Sequence, residues 1–202
     1  MEITLVIFFS YISGSVPFGL ILTKMFSGKD LREIGSGNIG ATNVLRTGNK
    51  YLATATLILD ILKGYVPVMI TGYFFYEYIF VSALVSLLGH IFPIWLNFKG
   101  GKGVATYLGI LISFSYALSI LFIFTWIILF LIFKYSSISS IFSSLTIFIT
   151  TFIRETAQNA NPEIISTVHL SNILFVFLIL IIFTHKKNII NLKNKTEPKI
   201  KL

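Results

Sequence analysis

Long apolar runs, separated by short gaps in which the cations collect, constrain this chain more than any other feature. Six runs fall at about 3–25, 51–76, 78–97, 104–133, 138–153 and 165–184. Most of them reach the roughly 20 residues that a helix needs to cross a bilayer. The composition agrees, with 55% of residues hydrophobic and 12% charged. A soluble domain carries about a quarter charged residues. Mean hydropathy is +0.85. No cysteine occurs, which excludes a disulfide framework, a thiolate nucleophile and a cysteine metal site. The opening Met1-Glu2-Ile3-Thr4 has no positive segment and no evident small-residue cleavage site follows, so the first run reads as a retained span.

The gaps fix how often the chain crosses. Lys24, Lys29, Arg32, Arg46 and Lys50 lie in the first gap, Lys99 and Lys102 after the third run, and Lys134 after the fourth. Lys186, Lys187, Lys193, Lys195, Lys199 and Lys201 lie in the tail. The remaining segments hold Glu2, Glu77, Glu155 and Glu163, with Arg154 as their cation. Cations favour the cytoplasmic side. If 104–133 crossed once, Lys134 and the lysine tail would fall outside. Two short helices bending near Ser113–Tyr116 bring both back inside. The 30 residues of that run make about 45 Å of helix, against about 60 Å for two full crossings, so short or tilted helices are expected there. The reading is an all-α integral membrane protein with seven transmembrane helices, the N-terminus outside and the C-terminus cytoplasmic. Some helices are short or broken. The net charge of +8 clusters beside apolar runs, which points to anionic headgroups and topology and not to nucleic acid.

Asp60 and Lys63 interrupt the second run. Their i,i+3 spacing puts both on one helix face, where each compensates the other as a structural ion pair. The following Gly64-Tyr65-Val66-Pro67 predicts an end or a kink in that helix.

Four segments carry residues suited to phosphate. Residues 35–43 read GSGNIGATN, with Arg46 three positions on. Gly35, Gly37 and Gly40 let backbone N–H groups approach an anion. Ser36, Asn38, Thr42 and Asn43 add neutral hydrogen bonds, and Arg46 adds a planar fork. A helix starting near Ala41–Thr42 would add its dipole. The same glycines also suit a tight turn that packs helices. In residues 89–103, Lys99 and Lys102 flank glycines at a membrane edge, without the spacing of a P-loop. Lysines there also serve as snorkelling topology signals. His90 in the same stretch reads as a packing residue or a catalytic one. Residues 134–141 place serines, among them Ser139 and Ser140, at a helix start beside Lys134, where they suit caps as well as ligands. Residues 184–189 put His185 and Asn188 on one face where the last helix meets the tail.

No Gly-x-Ser-x-Gly elbow occurs, and no Asp stands five residues after a histidine. Eight acids in all leave little for paired-carboxylate or metal-carboxylate chemistry.

Taken together, residues 28–46, 59–64, 89–106, 134–141 and 184–189 resemble the bacterial membrane acyl-phosphate:glycerol-3-phosphate acyltransferases of the PlsY type, in order and over nearly the whole chain. The resemblance implies one transmembrane acyltransferase domain over 1–202, with 185–202 a basic cytoplasmic tail. It implies a multi-pass protein of the bacterial cytoplasmic (inner) membrane whose active site faces the cytoplasm. The expected reaction moves an acyl group from acyl phosphate to the 1-hydroxyl of glycerol 3-phosphate, giving lysophosphatidic acid and phosphate, without metal or cofactor. The donor would come from the bilayer or from an upstream enzyme that forms acyl phosphate.

By the same resemblance, Arg46, Lys102 and Asn188 bind the glycerol 3-phosphate head, and Ser36, Gly37, Asn38, Gly40, Thr42 and Asn43 form the loop that cups a phosphate. Ser139, Ser140 and His185 complete the donor pocket, with His185, Ser36 and Lys102 as catalytic residues. The chain departs from the family pattern at Thr47–Gly48–Asn49, and at Asn191 and Lys195, where Arg and Gly are common. The rival class is a transporter or channel for a phosphate-bearing solute, which would place its site near the midplane, often between inverted repeats. No repeat relates 1–97 to 104–202.

Overall fold

The computed structural model describes residues 1–159 and 170–200, with side chains given for all of these but 158 and 159. Glu163, His169, Lys201 and the start of the last apolar run lie outside the described residues. Every regular element among the described residues is helical. The chain divides into two compact units, Met1–Tyr116 and Ala117–Leu202.

In the first unit, α1 (Glu2–Ser15) and α2 (Phe18–Ser27) are parted at Val16–Pro17. Proline lacks an N–H and pushes the residue before it to extended backbone, as Val16 shows with φ −64° and ψ 118°. α2 continues to Ser27, so Lys24 sits on a helix and not in the gap. After a short α3 (Ala41–Leu45), α4 (Lys50–Phe74) starts at Asn49, whose side chain accepts the Leu52 N–H at 3.0 Å. α4 does not end at Pro67, as the sequence allowed, but runs on to Phe74. A buried helix tolerates proline when its neighbours hold it, and α6 (Val104–Phe114) does so here. Ser113 of α6 donates to the Tyr65 carbonyl, and a Cβ at Gly109 would stand 2.0 Å from the Ile61 carbonyl oxygen.

α5 (Ile79–Ile91) lies along α1 in parallel register. The Ser10 and Ser82 hydroxyls share a 2.9 Å hydrogen bond, and a Cβ at Gly14 would stand 2.1 Å from the Ser86 oxygen. Small residues permit such backbone approach, which is how helices associate where lipid removes the hydrophobic drive. At one end of the unit Phe80 and Phe114 meet edge to face, 5.6 Å apart. The opposite end carries residues 28–49 and residues 92–103. These two connections hold the cations Lys29, Arg32, Arg46, Lys99 and Lys102.

Extended Ser115 (φ −166°, ψ 119°) separates α6 from α7 (Tyr116–Phe133), inside the stretch where the charge pattern required a break. In the second unit α8 (Ser136–Asn159) packs on α9 (Leu170–Thr184), which bends by 56° into α10 (Lys186–Lys193). Phe148 and Phe175 meet at 5.2 Å. Glu155 lies in α8, not in a loop, and is buried where it accepts the Ser171 N–H at 3.1 Å and the Ser171 hydroxyl.

Among the described residues, five helical stretches are long and apolar enough to cross a membrane, or six if bent α9–α10 counts as one span. α6 is 11 residues, about 16 Å of helix, short of the roughly 30 Å hydrocarbon core.

Candidate active site

The phosphate-suited residues of the first unit lie on two connections at its cation-rich end. In residues 28–49, Asn43 organises the turn. Its side-chain N–H groups face the carbonyls of Leu31 (3.0 Å), Ile34 (2.9 Å) and Asn38 (2.8 Å). Its Oδ1 accepts the Ser36 N–H at 3.1 Å. Asn43 is buried, and every polar atom of its side chain is engaged with backbone. Gly35 and Gly37 have φ of +56° and +70°, the left-handed region that glycine enters without strain. The connection is seated on Leu20, Leu31, Ile39, Val44 and Leu52, and Leu96 of the second connection packs on the same cluster.

Ser36, Asn38, Gly40 and Thr42 are half-buried along this turn, and the buried Asn38 Oδ1 has no hydrogen-bond partner among the described residues. α3 begins at Ala41 as expected, but five residues give it almost no dipole. Arg46 lies across Gly35, where a Cβ would stand 2.9 Å from Arg46 Cδ. It is half-buried and has no anionic partner among the described residues.

A concavity opens here, lined by Lys29, Asp30, Glu33, Ile34, Arg46 and neighbours. Arg32 neutralises Asp30 through a 2.6 Å contact, and that hydrogen-bonded guanidinium holds the Asp30 carboxyl down to about 2. Glu33 is the remaining acid that lines the concavity with Arg46 and Lys29.

The second connection explains its glycine pair. A helix end leaves its last carbonyls without N–H partners. The Ile91 carbonyl accepts the Gly100 N–H and the His90 carbonyl accepts the Gly101 N–H, both at 3.0 Å. The backbone comes so close that a Cβ at Gly100 would stand 2.1 Å from the His90 oxygen. The pair therefore caps α5, a role not assigned to it from the sequence. Half-buried Lys102 follows at once, and Gly103, at φ +83°, opens α6.

Deeper in the same unit, Lys63 Nζ stands 2.7 Å from Asp60 Oδ1, so the i,i+3 pair forms. Lys63 also donates to the Val16 carbonyl at 2.8 Å, which ties α4 to the break between α1 and α2.

In the second unit the segments 134–141 and 184–189 meet the tail. Glu197 accepts from the Asn188 amide at 2.6 Å, the Ser137 hydroxyl at 3.3 Å and the Asn191 amide at 3.4 Å. The Ile200 N–H reaches the Lys134 carbonyl at 3.1 Å, and Lys199 Nζ lies 5.6 Å from the centre of the Tyr135 ring. Ser139 and Ser140 do not cap the helix. Their hydroxyls donate to the carbonyls of Tyr135 (3.0 Å) and Ser136 (2.8 Å), and Trp126 donates to Ser140 at 3.1 Å. His185 is buried with Nδ1 2.7 Å from the Ile181 carbonyl. A carbonyl only accepts, so the proton of the neutral ring is on Nδ1 and its lone pair is on Nε2.

Sequence reasoning assigned Glu197 no role. The available signal was a lone acid in a tail of six lysines, at a distance where its partners could not be guessed.

A family model described as Glycerol-3-phosphate acyltransferase matches residues 4–195. The chain is 49% identical over 203 residues to a glycerol-3-phosphate acyltransferase of Pelagibacter ubique (strain HTCC1062), covering 100% of both chains. It is 45% identical to one of Mesorhizobium japonicum, over 97% of this chain and 95% of the other. The crystal structure of PlsY (YgiH), an integral membrane glycerol 3-phosphate acyltransferase in its glycerol 3-phosphate form, superposes with a TM-score of 0.89 at 33% identity, over 100% of this chain and 96% of that one. The lysophosphatidic acid form gives 0.87 at 32% identity, with the same coverage. This chain is a member of the glycerol-3-phosphate acyltransferase family of integral membrane enzymes.

Proposed function

We propose that the acyl donor is an acyl phosphate and the acceptor the 1-hydroxyl of glycerol 3-phosphate, with lysophosphatidic acid and inorganic phosphate as products. That the enzyme acylates glycerol 3-phosphate follows from its family, and the transporter reading is not favoured. The hydroxyl oxygen attacks the acyl carbon and the ester C–O bond forms. The bond from that carbon to the phosphate oxygen breaks, and the hydroxyl proton passes to a phosphate oxygen. Such a donor is already activated, so the protein needs mainly to hold two anions in line and neutralise them. A chain without cysteine or a serine elbow suits this chemistry.

The observation that carries the reading is Arg46, half-buried and without an anion among the described residues. Arg46, Lys102 and Asn188 hold the glycerol 3-phosphate head. The turn of Ser36, Gly37, Asn38, Gly40 and Thr42, braced by Asn43, cups a phosphate. Ser139, Ser140 and His185 serve the donor phosphate. Lys102 offsets charge developing on the phosphate oxygens, the Nε2 lone pair of His185 accepts a hydrogen bond from the phosphate once it carries the proton, and Ser36 orients the reacting groups. The domain 1–202 works in the bacterial cytoplasmic membrane through seven spans. α6 is a short one, the N-terminus is outside, and the site and the 185–202 tail are cytoplasmic. The charge asymmetry of the first unit supports this orientation.

The test is an assay of Arg46→Ala and Lys102→Ala in detergent with palmitoyl phosphate. Loss of activity through a raised KM for glycerol 3-phosphate is expected, and wild-type kinetics in both would overturn the assignment.

A further inference from the structure

Among the buried polar side chains that the mechanism above leaves unused is His90. His90 is 4% exposed and sits in the last turn of α5. Its Nδ1 lies 4.0 Å from Asp60 Oδ1, too far for a hydrogen bond, and makes none among the described residues. Its other edge faces the glycine pair, where a Cβ at Gly101 would stand 2.1 Å from His90 Nε2. The carbonyl of the same residue takes the Gly101 N–H. One residue thus holds Gly101 by backbone and by ring, and Lys102 is next in the chain. The ring cannot drift away, because the Asp60–Lys63 pair stands behind it and Lys63 is itself anchored to Val16.

We propose that His90 is a positioning residue for glycerol 3-phosphate. It fixes the backbone from which Lys102 projects, and so sets where that ammonium meets the substrate phosphate. The proposal rests on the assignment of Lys102 to that phosphate. A packing histidine would have needed only to fill space. This one stands against a glycine that no other residue could replace without displacing the ring. A loop shifted by about 1 Å can cost up to two orders of magnitude in a positioned reaction.

The experiment is a double-mutant cycle in detergent-purified full-length enzyme, with glycerol 3-phosphate varied at saturating palmitoyl phosphate. His90→Ala is expected to raise the KM for glycerol 3-phosphate roughly tenfold and leave kcat within about twofold. His90→Gln, which restores a planar polar group near the Nε2 position, recovers part of the loss. In a Lys102→Ala background His90→Ala adds less than about twofold, because the residue acts through Lys102. If His90→Ala does not yield folded protein, His90→Gln enters the same cycle, with its smaller rise in KM again expected to vanish when Lys102 is absent. A wild-type KM in the His90 variants, or an equal factor in both backgrounds, overturns the proposal. Should Lys102→Ala alone keep a wild-type KM, the Lys102 assignment falls and this proposal with it. A raised KM in Lys102→Ala beside unaffected His90 variants defeats only the role of His90.

Discussion

Asn188 donates its side-chain amide to Glu197 at 2.6 Å, across the turn between α10 and the tail. The same carboxylate receives Ser137 from the start of α8, so one acid fixes two segments. A hydrogen bond to a charged group contributes about 1.5–3 kcal/mol. Glu197→Ala should lower kcat/KM by roughly ten- to a hundredfold, and Glu197→Gln by less, since its amide oxygen still accepts. Steady-state kinetics of both variants check this. Equal and wild-type values would show that Asn188 is placed without Glu197.

Asn43 carries a prediction opposite to that of an ordinary ligand. Its amide joins the carbonyls of Leu31, Ile34 and Asn38 to the Ser36 N–H. Asn43→Ala leaves buried backbone groups unpaired, at about 1–3 kcal/mol each. The variant should unfold at lower temperature and lose at least about tenfold in activity. A residue that only touched substrate would lose activity with no thermal shift, which scanning fluorimetry in detergent distinguishes.

Asp60 and Lys63 are both buried, with Nζ and Oδ1 2.7 Å apart. Removing one partner strands the other, at a cost of about 3–5 kcal/mol. Lys63→Met should be strongly destabilised, and Asp60→Leu/Lys63→Met should recover much of the loss because no lone charge remains. Unfolding midpoints of the three proteins in mixed micelles provide the check. A double variant no better than the single would mean that the pair does not act as a unit.

The Asp30 carboxyl is held at about 2 by its hydrogen bonds to Arg32. A depressed carboxyl contributes its stabilisation above its ordinary value near 4, and loses it as pH falls through about 2. Between pH 5 and 9 its charge is constant. Asp30→Asn should therefore leave the acid limb of the pH–rate profile in place. A displaced limb would show that Asp30, although it lines the concavity beside Arg46, titrates in the working range.

Charge placement made much of the architecture legible. The lysines demanded a break in 104–133, and extended Ser115 provides it. The i,i+3 spacing of Asp60 and Lys63 announced their pair. What stayed hidden depended on contacts distant in sequence. Gly100 and Gly101 suit an anion nest as well as a helix cap, and only the carbonyls of His90 and Ile91 decide for the cap. Asn43 in a glycine-rich turn reads as a ligand until its four backbone partners are seen. Pro67 signalled an end or a kink, and with α6 packed on α4 the helix does not end there. Ser139 and Ser140 suited caps as well as ligands because propensity cannot tell a free hydroxyl from one bonded four residues back.

The identity of the acyl donor is directly measurable. Purified enzyme should be given glycerol 3-phosphate with palmitoyl phosphate, or with a palmitoyl thioester in place of it, and both lysophosphatidic acid and inorganic phosphate measured. Lysophosphatidic acid is expected from palmitoyl phosphate alone, with one phosphate released per ester formed. Product from the thioester, with none from palmitoyl phosphate, would contradict it.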